Sequence, residues 1–249
     1  MRGCYFITRP ADKLLAWDEF KINSIIYWHD ADAYYRMKRN AEIYRKFGLD
    51  ILMNCWGDPH PLLGNFEVRA MAPNGVGSQN FASQEYLKTG NKQLLFRKSC
   101  ISDPELRSKW EKGWEKNGKH GAEIGASFYD TGDELALSRC GAPVDFCFSP
   151  HCLHNFRKFL KKRYGTLENL NAQYQSNFTD WEKVVPFTKE EVWSAKGKHV
   201  AGWADHREFM DDVLANHLKE VIAGLRKYDP AARLSNSGTQ NPNAYGGLD

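Results

Sequence analysis

Short apolar runs, each too brief to be a helix, alternate along this chain with longer stretches whose apolar residues recur at helical spacing. No other feature narrows the choice of fold as much. "INSIIYWH", Ile22 to His29, is rich in Ile and aromatics and suits a buried strand. "ADAYYRMKRNAEIYRKFG" follows, with Met37, Ala41, Tyr44 and Gly48 on one helical face and Gly48 where a helix C-terminus belongs. "LDILMNCWGDPHP" reads as a second strand running into a Gly/Pro loop. From about Leu62 to Gly90 the polar stretch around "APNGVGSQN" reads as a loop or excursion, and a weak third strand is expected near Gln93 to Arg97.

The next helix has start signals in Ser102, with Glu105 at capping-box spacing and Pro104 in the first turn, and an apolar face of Leu106, Trp110 and Trp114. "HGAEIGASFYD" is a further strand candidate, ending at acids. Ser149 as N-cap and Pro150 at the first position open another helix, striped by Leu153, Phe156, Leu160 and Tyr164. The last long helix, about Asp205 to Tyr228, carries Met210, Leu214, His217, Val221 and Leu225 at helical spacing and leads into "RLSNSG".

Continuously apolar strands alternating with helices predict an α/β fold with a parallel sheet and helices outside it. A doubly wound open sheet and a β/α barrel both satisfy the pattern. No glycine-rich phosphate loop follows a strand, which argues against dinucleotide binding. Polar or aromatic clusters follow the strand ends: Trp28-His29, Asn54 to His60, Asp130 to Glu134, and Asn236 to Asn241. In a barrel such ends converge on the face where the chemistry is done.

Composition removes other classes. A net charge of +3, with no basic stripe interleaved with aromatics, gives no support to a nucleic-acid partner. "RKFLKKRYG" reads as the wet face of an amphipathic helix. No segment reaches the roughly twenty apolar residues of a membrane span, so no membrane partner is expected. The N-terminus lacks a long apolar core of the signal-peptide type, which favours the cytoplasm if Met1 is the true start. Six Cys do not make a disulfide scaffold in a chain of 249 residues.

The acids of "YDTGDEL" read either as an ordinary solvated loop or as a cluster whose raised cost of ionisation is useful. Asp130, Asp133 and Glu134 lie within five residues, and like charges so close raise each other's cost of ionisation. A carboxyl held protonated near neutral pH is what a general acid requires. An oxygen-ligand metal site built from the same three acids is an alternative, although strand alternation would send some of them to opposite faces.

Three segments resemble glycoside hydrolase family 42 β-galactosidases: "FRKSCISDPELRSKW", "FRKFLKKRYGTLENLNAQYQSNFTDWEKV" and "WADHREFMDDVLANHLKEVIAGLRKYDPAARLSNSGT". In order and spacing the resemblance covers roughly Asp32 to Asp249. It implies a (β/α)8 TIM barrel, about five of whose eight β/α units are expected here, forming one partial catalytic domain over residues 1–249. It also implies a retaining glycosidase acting on β-galactosides or related glycans, with a carbohydrate substrate and no required cofactor. By position, Glu134 matches the family's acid/base. Asp133 stands where the family has an Asn that holds the sugar 2-hydroxyl; a carboxylate accepts from a hydroxyl but cannot donate as an amide does. The strand-end residues Trp28, His29, Asn54, Trp56, His60 and Tyr129 are the candidate sugar contacts, with Asn236 and Gln240 weaker ones. Arg97 lies near a family Arg that touches substrate.

The resemblance also implies a structural zinc held by one Cys before the helix start and a Cys-x-Cys-x-x-Cys run. Cys100, Cys147 and Cys152 match three of those ligands, but Ser149 occupies the middle position of the run. Cys140 and His151 are the candidates for a fourth ligand. A cluster of buried thiols without metal is the favoured expectation. The family's nucleophile is a Glu on a seventh strand, which places it beyond Asp249 and makes the chain a fragment. Uncovered sheet edges would then make it poorly soluble or self-associating, with a homo-oligomer open to the full-length protein. A catalytically inactive carbohydrate-binding barrel is the competing reading.

Overall fold

The structure is a computed structural model and describes residues 3–4, 24–27, 33–54, 79–96, 100–130, 145 and 147–235. The chain forms two compact units. One comprises Met1–Gly64, Ser108–Leu135 and Leu218–Gly238; the other comprises Asn65–Arg107, Ala136–His217 and Thr239–Asp249.

Among the described residues the first unit holds five parallel strands: β1 (Gly3–Cys4), β2 (Ser24–Tyr27), β3 (Asp50–Asn54), β4 (Phe128–Asp130) and β5 (Leu234–Ser235). They pair in sequence order, β1-β2-β3-β4-β5, each parallel to its neighbour. Parallel neighbours need a crossover, and a doubly wound sheet reverses its strand order at a switch point. This order contains no reversal. Of the two topologies open to the sequence, the singly wound one typical of β/α barrels is the one adopted.

Helix α1 (Ala33–Lys46) crosses from β2 to β3 with Ala41 and Tyr44 buried, and Gly48 ends it at φ +66°, a conformation that favours glycine. In the same unit, the greater part of α3 (Pro104–Ile124) packs on β4 and on the C-terminal end of α7 (Val200–Arg226). Two glycines set that approach. A Cβ on Gly121 would lie 1.8 Å from the Tyr129 hydroxyl, and one on Gly224 would lie 2.4 Å from the Trp114 ring. Neither position has room for a side chain.

The second unit contains α2 (Gln79–Thr89), α4 (Pro150–Tyr164), α5 (Leu167–Tyr174), α6 (Lys189–Ser194) and the first part of α7. Helix α4 starts as expected: Ser149 is the N-cap, its hydroxyl accepts from the Cys152 amide, and Pro150 opens the first turn. Phe156 and Leu160 are buried along its stripe. All five stripe residues of α7 are buried, from Met210 to Leu225.

Three expectations change. Residues 92–95 form a 3-10 turn rather than a third strand, because the Asn91 side chain accepts from the Gln93 amide at 3.0 Å and seeds the turn that buries Leu95. The extra strand is β1, so β3 pairs directly with β4. Helix α2 lies within the stretch expected to be loop, with Tyr86 buried and its hydroxyl 2.6 Å from that of Thr188. The N-cap of α3 is Asp103, not Ser102: the Asp103 carboxylate accepts from the Glu105 amide at 2.9 Å, while the Ser102 hydroxyl receives the Cys152 thiol at 3.5 Å.

Candidate functional site

Strand register assembles a polar row at one end of the sheet. Tyr27, Met53, Tyr129 and Leu234 are Cα partners across β2 to β5, and on the next row Asn54 pairs with Asp130 and Asp130 with Ser235. The last residues of three parallel strands are therefore Asn, Asp and Ser. Parallel β/α sheets place their functional groups at this C-terminal end. Asp130 is 1 % exposed, and Asp133 and Glu134 follow it three and four residues later in the sequence.

Alternation along β4 decides which side chains face the row. Tyr129, expected at a strand end as a sugar contact, is wholly buried on the helix side: its hydroxyl donates to Asp229 Oδ2 at 2.7 Å and its ring lies against Gly121. It is therefore a packing residue. Asp130, its neighbour along the strand, points to the opposite face. Asn54 sits in register with it. The other expected contacts, Trp28, His29, Trp56, His60, Arg97, Asp133 and Glu134, lie outside the described residues, as do Cys140, Asn236 and Gln240. Sequence reasoning did not single out Ser235; the signal for it is the register, which only the strand pairing supplies.

In the second unit, Asp145 is a heavily bonded buried acid. Its carboxylate accepts from the Lys189 amide at 2.9 Å and the Trp203 indole at 3.1 Å, and pairs with Arg207 at 2.7 Å. It is 0 % exposed. Asp205 plays a similar part, receiving the Tyr164 and Tyr174 hydroxyls at 2.7 Å each and pairing with Arg163 at 2.5 Å.

The same unit gathers Cys100, Cys147 and Cys152, all buried, with their sulfurs within 4.8 Å of one another. The Cys100 and Cys152 sulfurs are 3.4 Å apart. Cys147 accepts from the Ser149 amide at 3.4 Å, and the Ser149 hydroxyl lies 3.0 Å from the Cys100 sulfur. Contact with Cys147 holds the Cys100 thiol above its ordinary range, and contact with Cys100, then Cys147 and burial, raises that of Cys152 further. Each would become a thiolate beside another sulfur.

A family model described as Beta-galactosidase, that of glycoside hydrolase family 42, matches residues 89–245, more than half of the chain. The chain belongs to glycoside hydrolase family 42. A β-galactosidase, LacZ, of Lactobacillus acidophilus is 34% identical over 93 residues, covering 34% of this chain and 14% of that protein. The LacZ β-galactosidase of Heyndrickxia coagulans is 28% identical over 95 residues, again spanning 14% of its length. Among solved structures, the β-galactosidase of the psychrophilic Marinomonas ef1 superposes with a TM-score of 0.62 at 12% identity, over 98% of this chain and 38% of that one. That of Bacillus circulans sp. alkalophilus gives 0.56 at 16% identity, over 90% and 33%. The chain thus spans about one seventh of the matched curated relatives and about a third of these solved ones. At such identities the superpositions establish the α/β fold alone.

For a family 42 chain the sulfur cluster can be tested against a structural zinc. A closed site needs four good ligands at tetrahedral corners. Three sulfurs converge, but the fourth group is a neutral hydroxyl already engaged as the α4 cap and against Cys100. His151, the other described candidate, is exposed. These residues do not fit a closed four-ligand zinc site.

Proposed function

We propose that this family 42 chain serves as a glycoside hydrolase on β-galactosides or related glycans, with Glu134 as the general acid/base. The single observation that carries the reading is the polar row Asn54, Asp130 and Ser235 at the strand ends, in a family 42 chain whose sequence has Glu134 four residues after the end of β4. The β-galactosidase names of the matched relatives support the substrate class.

The chemistry follows from the residue types. Glu134 gives its proton to the leaving glycosidic oxygen, and later takes one from the attacking water. Asp133 and Asp130 favour its protonated form, because each added negative charge nearby raises the cost of ionising it. Asp133 also accepts from a sugar hydroxyl. Asn54, Trp28, His29, Trp56, His60 and Arg97 are the proposed sugar contacts, with rings against the apolar face of the sugar and polar groups on its hydroxyls. Retention requires a second carboxyl about 5 Å away to attack the anomeric carbon. The resemblance assigns it to a seventh strand.

Asp133 in the place of Asn supports a second reading, a barrel that binds carbohydrate without cleaving it. Aryl β-galactosides with poor and good leaving groups separate the two. Replacing the acid, Glu134→Gln, is expected to slow the poor leaving group by about 10²–10⁴-fold and the good one much less. Galactoside binding without turnover in the wild type favours the second reading.

A further inference from the structure

We propose that Ser149 makes the Cys100, Cys147 and Cys152 cluster a metal-free, hydrogen-bonded sulfur site, in which its hydroxyl takes the corner a fourth ligand would occupy. The inference does not depend on the hydrolase reading.

The hydroxyl is committed on both sides. It accepts the Cys152 amide at 3.2 Å, which caps α4, and lies 3.0 Å from the Cys100 sulfur as a donor to it. Turning it toward an ion would release the Cys152 N–H in the first turn of the helix and cost the cap. The sulfurs are satisfied as they stand: Cys100 contacts Cys152 at 3.4 Å, Cys152 donates to the Ser102 hydroxyl at 3.5 Å, and Cys147 accepts the Ser149 amide at 3.4 Å. Nor can water readily supply a fourth ligand, since the three Cys are only 1–3 % exposed. Tetrahedral zinc with sulfurs at about 2.3 Å would have to draw in all three thiolates and, among the described residues, still lack a fourth ligand.

The site joins the turn before α3, the segment at 147–149 and the first turn of α4, all within one unit. In a metal site the ion would hold these together. Here the hydrogen bonds do, and a single oxygen-for-sulfur exchange separates the two arrangements.

The test uses the 249-residue chain, reduced and stripped with chelator, titrated with zinc chloride alone. Two readouts are taken: the thermal midpoint, and competition with a chromophoric zinc chelator. For wild type, the midpoint is expected to stay unchanged on adding zinc, with no equivalent retained against the chelator. Ser149→Cys supplies the fourth sulfur; zinc at about 100 times its Kd is expected to raise that variant's midpoint by roughly 5–10 °C. Its zinc affinity should exceed wild type by at least about 100-fold, since outer contacts alone change metal affinity by 10–100-fold. One tightly held zinc per wild-type chain, or a zinc-dependent rise in its midpoint, overturns the proposal even if the variant does not fold. A folded Ser149→Cys chain that gains no zinc affinity overturns the role given to Ser149.

Discussion

The two units secure their interiors by different means. In the strand-bearing unit, α3 approaches β4 and α7 through missing side chains, at Gly121 and Gly224, and Tyr129 spans the gap to Asp229. In the other unit, buried polar hubs draw distant segments together: Asp145 collects Lys189, Trp203 and Arg207, and Asp205 collects Tyr164, Tyr174 and Arg163. A position with no room for a side chain is strained by any addition, whereas a buried charge tolerates neither the loss nor the neutralisation of its partner. The strand unit should therefore fail when side chains are enlarged, and the helical unit when acids are removed or histidines are charged.

The largest effect should come from Asp145→Ala, which leaves the Arg207 guanidinium and the Trp203 indole without their carboxylate. Urea unfolding is expected to register a loss of about 3–5 kcal/mol. A loss below about 1 kcal/mol would mean that water replaces the hub and that the contrast between the units is wrong.

Acid should act next, again on the helical unit. Burial lowers the His206 pKa to about 4, against a partial opposing pull from Asp145, and burial likewise lowers that of His217 to about 4. The unfolded chain takes up these protons near pH 6.5 and the folded chain does not. The contribution of each is therefore complete above about pH 6.5 and is lost as the pH falls toward 4. At pH 5 each costs on the order of 2 kcal/mol relative to neutral pH. His206→Phe, beside Phe148 and Phe156, should remove one such increment from the difference between unfolding at pH 7.5 and at pH 5. An unchanged difference would mean that His206 is not buried as described.

Gly121→Ala should cost about 1–3 kcal/mol, because the new methyl meets the Tyr129 hydroxyl. Pairing it with Tyr129→Phe, which removes that oxygen, should recover part of the loss; equal losses in both backgrounds would place the strain elsewhere. The smallest effect is expected at the α3 cap. Asp103→Ala should cost about 1 kcal/mol and Ser102→Ala less, since only the former accepts from a helix amide.

What the sequence made legible follows the range of each interaction. The α7 stripe and the Ser149–Pro150 helix start depend on residues a few positions apart, and both stand as read. Strand β1 is two residues long, too short for any period to register, and the few apolar residues of α2 are not gathered on one face to make a stripe. The choice between Ser102 and Asp103 as cap is made by Cys152, far along the chain. A strand-end position points to Tyr129 as a contact, but alternation over a three-residue strand turns it to the helices. The Asp145 hub has all its partners more than forty residues away, beyond the reach of any local pattern.

The proposed catalytic role of Glu134, the acid that follows β4 in sequence, is decided by hydrolysis of an aryl β-galactoside with a poor leaving group, comparing wild type with Glu134→Gln in the polypeptide that carries both carboxyls. A loss of about 10²–10⁴-fold that shrinks as the leaving group becomes more acidic is the predicted result. Equal rates in the two proteins would contradict it.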